Sequence, residues 1–153
     1  MIILKNKEEI EGIRRSGALA ARTLDFASEH LKPGISTGQL DKYIHDFIRD
    51  HGAVPATLGY RGFPASSCIS INEVVVHGIP GARVVQDGDL VKIDVTTILD
   101  GFYGDTDRTF CVGEVSPVAR KLAEATEKAR YLGINEVTSG ARLGDVGAAM
   151  QEF

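Results

Sequence analysis

The chain has 153 residues, 43% of them hydrophobic and 25% charged, a composition that supports one sizeable soluble core. A net charge of −4, with basic residues such as Arg14 and Arg15 scattered among acids, excludes a phosphate-tracking surface, so DNA is not an expected ligand. No apolar run approaches membrane-spanning length and the opening MIILKNKEEIEG lacks a signal-peptide layout, so a cytoplasmic protein without membrane contact is expected. Cys68 and Cys111 have no CxxC spacing and read as reduced thiols.

In chain order, residues 7–31 place Ile10, Ile13, Gly17, Ala20, Ala21, Leu24 and Ala27/Leu31 at helical spacing, stopped by Lys32-Pro33-Gly34. A second helix begins at Thr37, expected to cap it with Asp41 in the first turn. It should bury Leu40, Ile44, Phe47 and Ile48 and end near His51-Gly52. A long loop through Pro55, Gly59, Gly62 and Pro64 leads to a strand over 67–76, turned at Asn72. Ser116-Pro117 opens a third helix through Leu122, Ala125, Ala129 and Leu132 to about Val137.

The run LVKIDVTTILDGFYGDTDRTFCVG (90–113) carries the chemistry. Residues 91–99 and 102–112 read as strands joined by the two-residue turn Asp100-Gly101. If Leu99 pairs with Phe102, Thr96 faces Asp105 and Asp94 faces Asp107. Asp94 and Asp105 are then diagonal neighbours on one face, their Cα atoms roughly 7–8 Å apart. With no lysine expected on that face, crowded carboxylates either take up a proton or bind a cation, and oxygen donors suit Mg, Mn or Fe more than a closed structural zinc. A three-residue loop would put the two acids on opposite faces, and a solvated acidic hairpin is the plain alternative.

KPGISTGQLDKYIHDF (32–47) also aligns with TSGARLGDVGAAMQEF (138–153). One offset superposes Gly34 on Gly140, Gly38 on Gly144, Leu40 on Val146, Ile44 on Met150 and Phe47 on Phe153. This reads as an internal duplication within a single domain, 1–153. Its second copy starts at about 116 and stops in mid-helix at 153, leaving Met150 and Phe153 with little to pack against.

TLGYRGFPASSCISINEVVVHGIPG (57–81), followed by KIDVTTILDGFYGDTDRTFCVGEVS (92–116), resembles type I methionine aminopeptidase, and the likeness extends over essentially the whole chain. The resemblance implies an α/β (α+β) architecture, the N-terminal half of a duplicated pita-bread fold, with helices packed on one face of an antiparallel sheet. It implies metal-dependent removal of the initiator methionine from nascent polypeptides, with the ribosome as a possible partner and two divalent ions (Co, Mn, Fe, Zn or similar) in a complete site. Position by position, Asp94 and Asp105 are similar to metal ligands, His77 to the catalytic histidine that contacts substrate, and Thr96 to the threonine supporting the metal. Tyr60, Phe63 and Cys68 are similar to the lining of the methionine pocket, where aromatic rings and sulfur suit a thioether.

Departures accompany the match. The family's remaining ligands, a histidine and two glutamates, one of them the general base, belong to a second half not found here. Thr57 replaces a common cysteine, Arg61 a histidine or asparagine, and Asp107 is unusually acidic. The isolated chain is therefore expected to be inactive. Two other readings stay open: an Xaa-Pro peptidase or creatinase relative, and a non-catalytic half-fold assembly module. His30, His45 and His51 read as helix-surface and helix-end residues without a site role.

Overall fold

Helix α1 (Lys7–His30) starts where Asn6 accepts a hydrogen bond from the Glu9 amide and Glu9 reaches back to the Asn6 amide, satisfying two otherwise unpaired donors. The computed structural model describes residues 2–153 and divides into two units, Met1–Glu114 and Val115–Phe153.

In the first unit the order is α1, α2 (Thr37–Asp50), β1 (Val54–Pro55), β2 (Cys68–Ile71), β3 (Leu90–Leu99) and β4 (Phe102–Cys111). β3 is the centre of an antiparallel sheet. One of its edges takes β1 and β2 in turn and the other pairs with β4 along its whole length. Its side chains alternate without a break. Val91, Ile93, Val95 and Thr97 are fully buried beneath α1 and α2 with Leu24, Leu40, Ile44 and Ile48, while 92, 94, 96 and 98 look out of the opposite face, half buried.

The face that α1 buries differs from the expected apolar stripe. Ile10 and Ile13 are exposed, and Gly12, Ser16, Leu19, Ala20, Thr23, Leu24 and Ala27 point inward. Close approach to the hairpin selects small residues over large ones. A Cβ on Gly104 of β4 would stand 2.2 Å from the Ser16 carbonyl carbon, so helix and strand touch backbone to backbone. Two reciprocal bonds rivet the contact: Ser16 Oγ donates to the Thr97 carbonyl (3.1 Å) and Thr97 Oγ1 to the Ser16 carbonyl (3.0 Å).

Ser36, not Thr37, is the N-cap of α2 and accepts from the Gln39 amide; Thr37 instead accepts from the Gly81 amide at 2.9 Å. Phe47 is half buried, stacked on Phe26 at a centroid distance of 4.4 Å. The strand expected over 67–76 stops at Ile71 because Asn72 takes φ 51°, and the short β1, hidden in sequence by Pro55, replaces the start of the expected loop.

The second unit pairs α3 (Pro117–Asn135), capped by Ser116 as expected, with α4 (Leu143–Glu152). Gly133 gives Met150 a seat: a Cβ there would lie 2.8 Å from its sulfur. Lys128 Nζ lies 4.7 Å from the centre of the Phe153 ring, so both residues do find contacts, although Leu122 stays exposed. The offset that aligns the two sequence segments also aligns Gly34 with Gly140, both at positive φ, each two residues before a helix N-cap.

Candidate metal and substrate site

Asp100 and Gly101 both have positive φ (52° and 82°), the signature of a type I′ hairpin whose twist matches its strands. The register is the one a two-residue turn dictates. Leu99 pairs with Phe102, Thr96 with Asp105 and Asp94 with Asp107. Asp94, Thr96, Asp105 and Asp107 therefore share the face of the sheet that turns away from α1 and α2. Thr96 Oγ1 donates to Asp105 Oδ1 at 3.1 Å, fixing that carboxylate. β2 extends the row, with Cys68 directly across from Asp94 on the side opposite Asp107.

The electrostatics follow from crowding. Burial, then the charges of Asp105 and Asp107, push the Asp94 carboxyl above its ordinary range, with His77 pulling weakly the other way. Burial, then Asp94, Asp41 and Asp105, push the Cys68 thiol up to about 11. One expectation needs correcting: Lys92 does stand on this face, two residues from Asp94. Its Nζ turns away to donate to the Asn72 carbonyl at 2.7 Å, so it does not neutralise the acids. A half-buried carboxylate beside two others, with no cation bonded to them, is donor chemistry that fits a hard divalent ion. Among the described residues no cluster of three or more His, Cys, Asp or Glu side chains is placed to hold a metal, so the fit is that of a partial shell.

Segment 56–67 spans the same region. It leaves the sheet where the Ala56 amide donates to the Thr96 carbonyl (2.8 Å) and re-enters at Cys68, opposite Asp94. Tyr60 and Arg61 lie in a 3-10 turn (Tyr60–Gly62), exposed, with the Arg61 guanidinium 5.5 Å from the Tyr60 ring centre; Phe63 is half buried. The Thr57 hydroxyl is buried without a hydrogen-bond partner beside the sheet edge. His77 is exposed at φ 57°. It is followed by Gly78, whose Cβ would stand 2.3 Å from the Ile69 carbonyl oxygen, so only glycine lets the chain lie on β2 there. A cleft of ≈ 500 Å³ opens beside His77, lined by Thr37, Ile69, Val74, Ile79 and Arg83. Asp94 and Asp105 do not line it; the carboxylates lie on the open sheet face.

Sequence reading missed the anchors that hold β2 in place beside these acids. Asp41, expected only to stand in the first turn of α2, accepts from the Ser66 amide (3.1 Å), the Ser67 amide (2.8 Å) and the Ser67 hydroxyl (2.7 Å), pinning the entrance to β2. His45, read as a plain surface residue, lies within 2.8 Å of the Ser66 hydroxyl. No short-range pattern joins residue 41 to 67. At the exit of β2, buried Asp89 accepts from the Asn72 side chain at 2.8 Å.

Comparison with known proteins shows the family and the fold. Residues 11–153 match metallopeptidase family M24. The chain is 50% identical to methionine aminopeptidase A of Synechocystis sp. over 98% of its own length and 60% of the relative's. It superposes on the crystal structure of methionine aminopeptidase from Rickettsia prowazekii with a TM-score of 0.97 at 47% identity, covering 99% of this chain and 61% of that one. An Xaa-Pro dipeptidase from Bacillus anthracis shares the fold (TM-score 0.86, 20% identity, 97% of this chain and 41% of that one). The architecture is thus the pita-bread type, and the chain spans about 60% of the length of the curated relatives it matches. With its paired aspartates on one strand face and this match across nearly all its residues, the chain belongs to metallopeptidase family M24.

Proposed function

We propose that this chain carries the N-terminal part of a metal-dependent methionine aminopeptidase, which removes the first methionine from peptides and nascent polypeptides. The observation that carries the reading is the placement of Asp94 and Asp105 on one face of a type I′ hairpin, with Thr96 bonded to Asp105. Asp94 and Asp105 would hold a divalent ion such as Mn, Fe, Co or Zn. When bound, such an ion supplies a Lewis acid and a nucleophilic water at neutral pH.

The chain's own residues do the rest. Thr96 holds Asp105 in orientation. Tyr60, Phe63 and Cys68 receive the methionine side chain, and His77 donates to the substrate's carbonyl or accepts from its amide. A partial donor set leaves the isolated chain without a complete metal shell and without a general base, so we expect it to be inactive alone. No helix among the described residues is long and apolar enough to cross a membrane, in keeping with substrates met in the cytoplasm, at or after the ribosome.

The 47–50% identity to proteins named methionine aminopeptidase favours this reading over Xaa-Pro hydrolysis, for which the likeness at 20% identity supports the fold alone. The test is peptide hydrolysis with Mn²⁺, using this chain and a fusion joining it to the part of the Synechocystis relative that lies beyond the match. Methionine release from Met-Ala-Ser by the fusion, abolished by Asp94→Ala, supports the reading. Preferential cleavage of Ala-Pro, or full activity in the Asp94→Ala fusion, overturns it.

A further inference from the structure

The loop that delivers His77 is fastened at both ends. Its first fastening is a side-chain pair outside the aspartate face. Asn72 ends β2 at φ 51°, and its side chain is used twice: Nδ2 donates to Asp89 Oδ1 (2.8 Å) and Oδ1 accepts from the Leu90 amide (2.9 Å). Its backbone amide donates to the Leu90 carbonyl at 3.0 Å. Asp89 is 4% exposed and also accepts from the Gln86 amide (2.9 Å) and from Arg83 (3.2 Å). At the far end Gly78 lies on β2, its amide donating to Ser70 Oγ (3.0 Å) and its carbonyl accepting from the Ile69 amide (2.9 Å). Residues 73–77 between these points are exposed.

We propose that Asn72 and Asp89 are positioning residues for His77: exposed Asn72, held by buried Asp89, sets the left-handed turn from which the loop departs, and so sets where the imidazole emerges. The residue types are specific to the task. Asparagine tolerates positive φ and carries a donor and an acceptor on one short side chain. Glycine would keep the φ and lose the bridge, whereas aspartate would set a second carboxylate against the buried one of Asp89. Exchanging the two side chains, Asn72→Asp together with Asp89→Asn, would restore a donor facing an acceptor and still serve the Leu90 and Gln86 amides, while the half-exposed Arg83 gives up its ion pair with residue 89 and turns to solvent.

The proposal rests on the reading of His77 as a substrate contact, and its test is chosen to need neither metal nor peptide. Amide exchange and the His77 ring resonances are followed by NMR in the full 153-residue chain. Asn72→Gly is expected to raise exchange at the Val74 amide, which donates to the Ile71 carbonyl (3.1 Å), at least tenfold and to shift or broaden the His77 ring signals, with the amides of 93–97 unchanged. Asn72→Asp should do the same, and Asn72→Asp with Asp89→Asn should return the ring signals to their wild-type positions. Unchanged ring signals in Asn72→Gly overturn the proposal. So does equal loss of protection across β3, or a folded double variant that fails to restore His77. If Asn72→Asp does not fold, the glycine variant and the exchanged pair decide the matter. The substrate role of His77 is tested apart, by methionine release from a His77→Ala fusion.

Discussion

Cys68 stands directly across the β2–β3 ladder from Asp94, so a thiol and a carboxylate share one half-enclosed strip of the sheet. Burial and the neighbouring acids raise the thiol from 9.0 to about 11. At pH 8 its thiolate fraction is then lower than that of an ordinary cysteine by about two orders of magnitude. Exposed Cys111 should react with a thiol reagent in seconds to minutes, and Cys68 roughly 100-fold more slowly or slower still. Because the folded value is raised, the stability tied to the protonated thiol is complete below pH 9.0 and is lost as pH rises through about 11. Time-resolved labelling followed by mass spectrometry checks the first point, and urea melts between pH 8 and 11 the second.

The Asp94 carboxyl gives a second pH signature. Its folded value lies above the ordinary 3.8, so its contribution to stability is fully present below 3.8 and lost as pH rises through the raised value. Asp94→Asn keeps the shape and removes that loss. The metal-free variant should melt higher than wild type at pH 7 and match it near pH 3. An Asp94→Asn chain that melts lower than wild type at pH 7 would show that the charge is stabilised by something other than a bound cation.

The contact between α1 and the hairpin has no room for adjustment. Gly104→Ala must push Ser16 off the strand, an overpacking that costs about 1–3 kcal/mol. Thr97→Val keeps the shape and removes the hydroxyl that donates to the Ser16 carbonyl, a loss of about 0.5–1.5 kcal/mol. Urea denaturation of both variants measures these, with lowered midpoints and unchanged slopes expected.

The two residues at the start of α2 have separable jobs. Ser36→Ala removes a helix cap and should cost about 1 kcal/mol with little effect elsewhere. Thr37→Val leaves the cap intact but releases the Gly81 amide, so hydrogen exchange should rise at Gly81. Equal exchange at Gly81 in both variants would refute the division.

Periodicity and turn chemistry made much of this molecule legible. The Asp-Gly turn with its flanking β-branched runs specified both strands, their register and hence the shared face of Asp94 and Asp105, because parity along a strand leaves no freedom once the loop length is known. Ser116-Pro117 and Lys32-Pro33-Gly34 marked helix ends for equally local reasons. What stayed hidden was long-range. Gly12 and Ser16 became the contact face of α1 because Gly104, far along the chain, lets a backbone come close, and no helical pattern records that. Lys92 lay on the acidic face by the same parity argument, and what no parity rule shows is that its ammonium reaches for Asn72 instead of Asp94. The Asp41 clamp on Ser66 and Ser67 likewise joins segments with no common periodicity.

Among the described residues β4 pairs only with β3, leaving the outer rim of a ten-residue strand without a strand partner. Rims of this kind can take up a further strand, and the exposed carboxylates of Asp105 and Asp107 would oppose a second copy there by like-charge repulsion. Cation binding would silence the same charges that keep two copies apart. The acids proposed to hold a metal would thus also guard the chain against self-templated stacking.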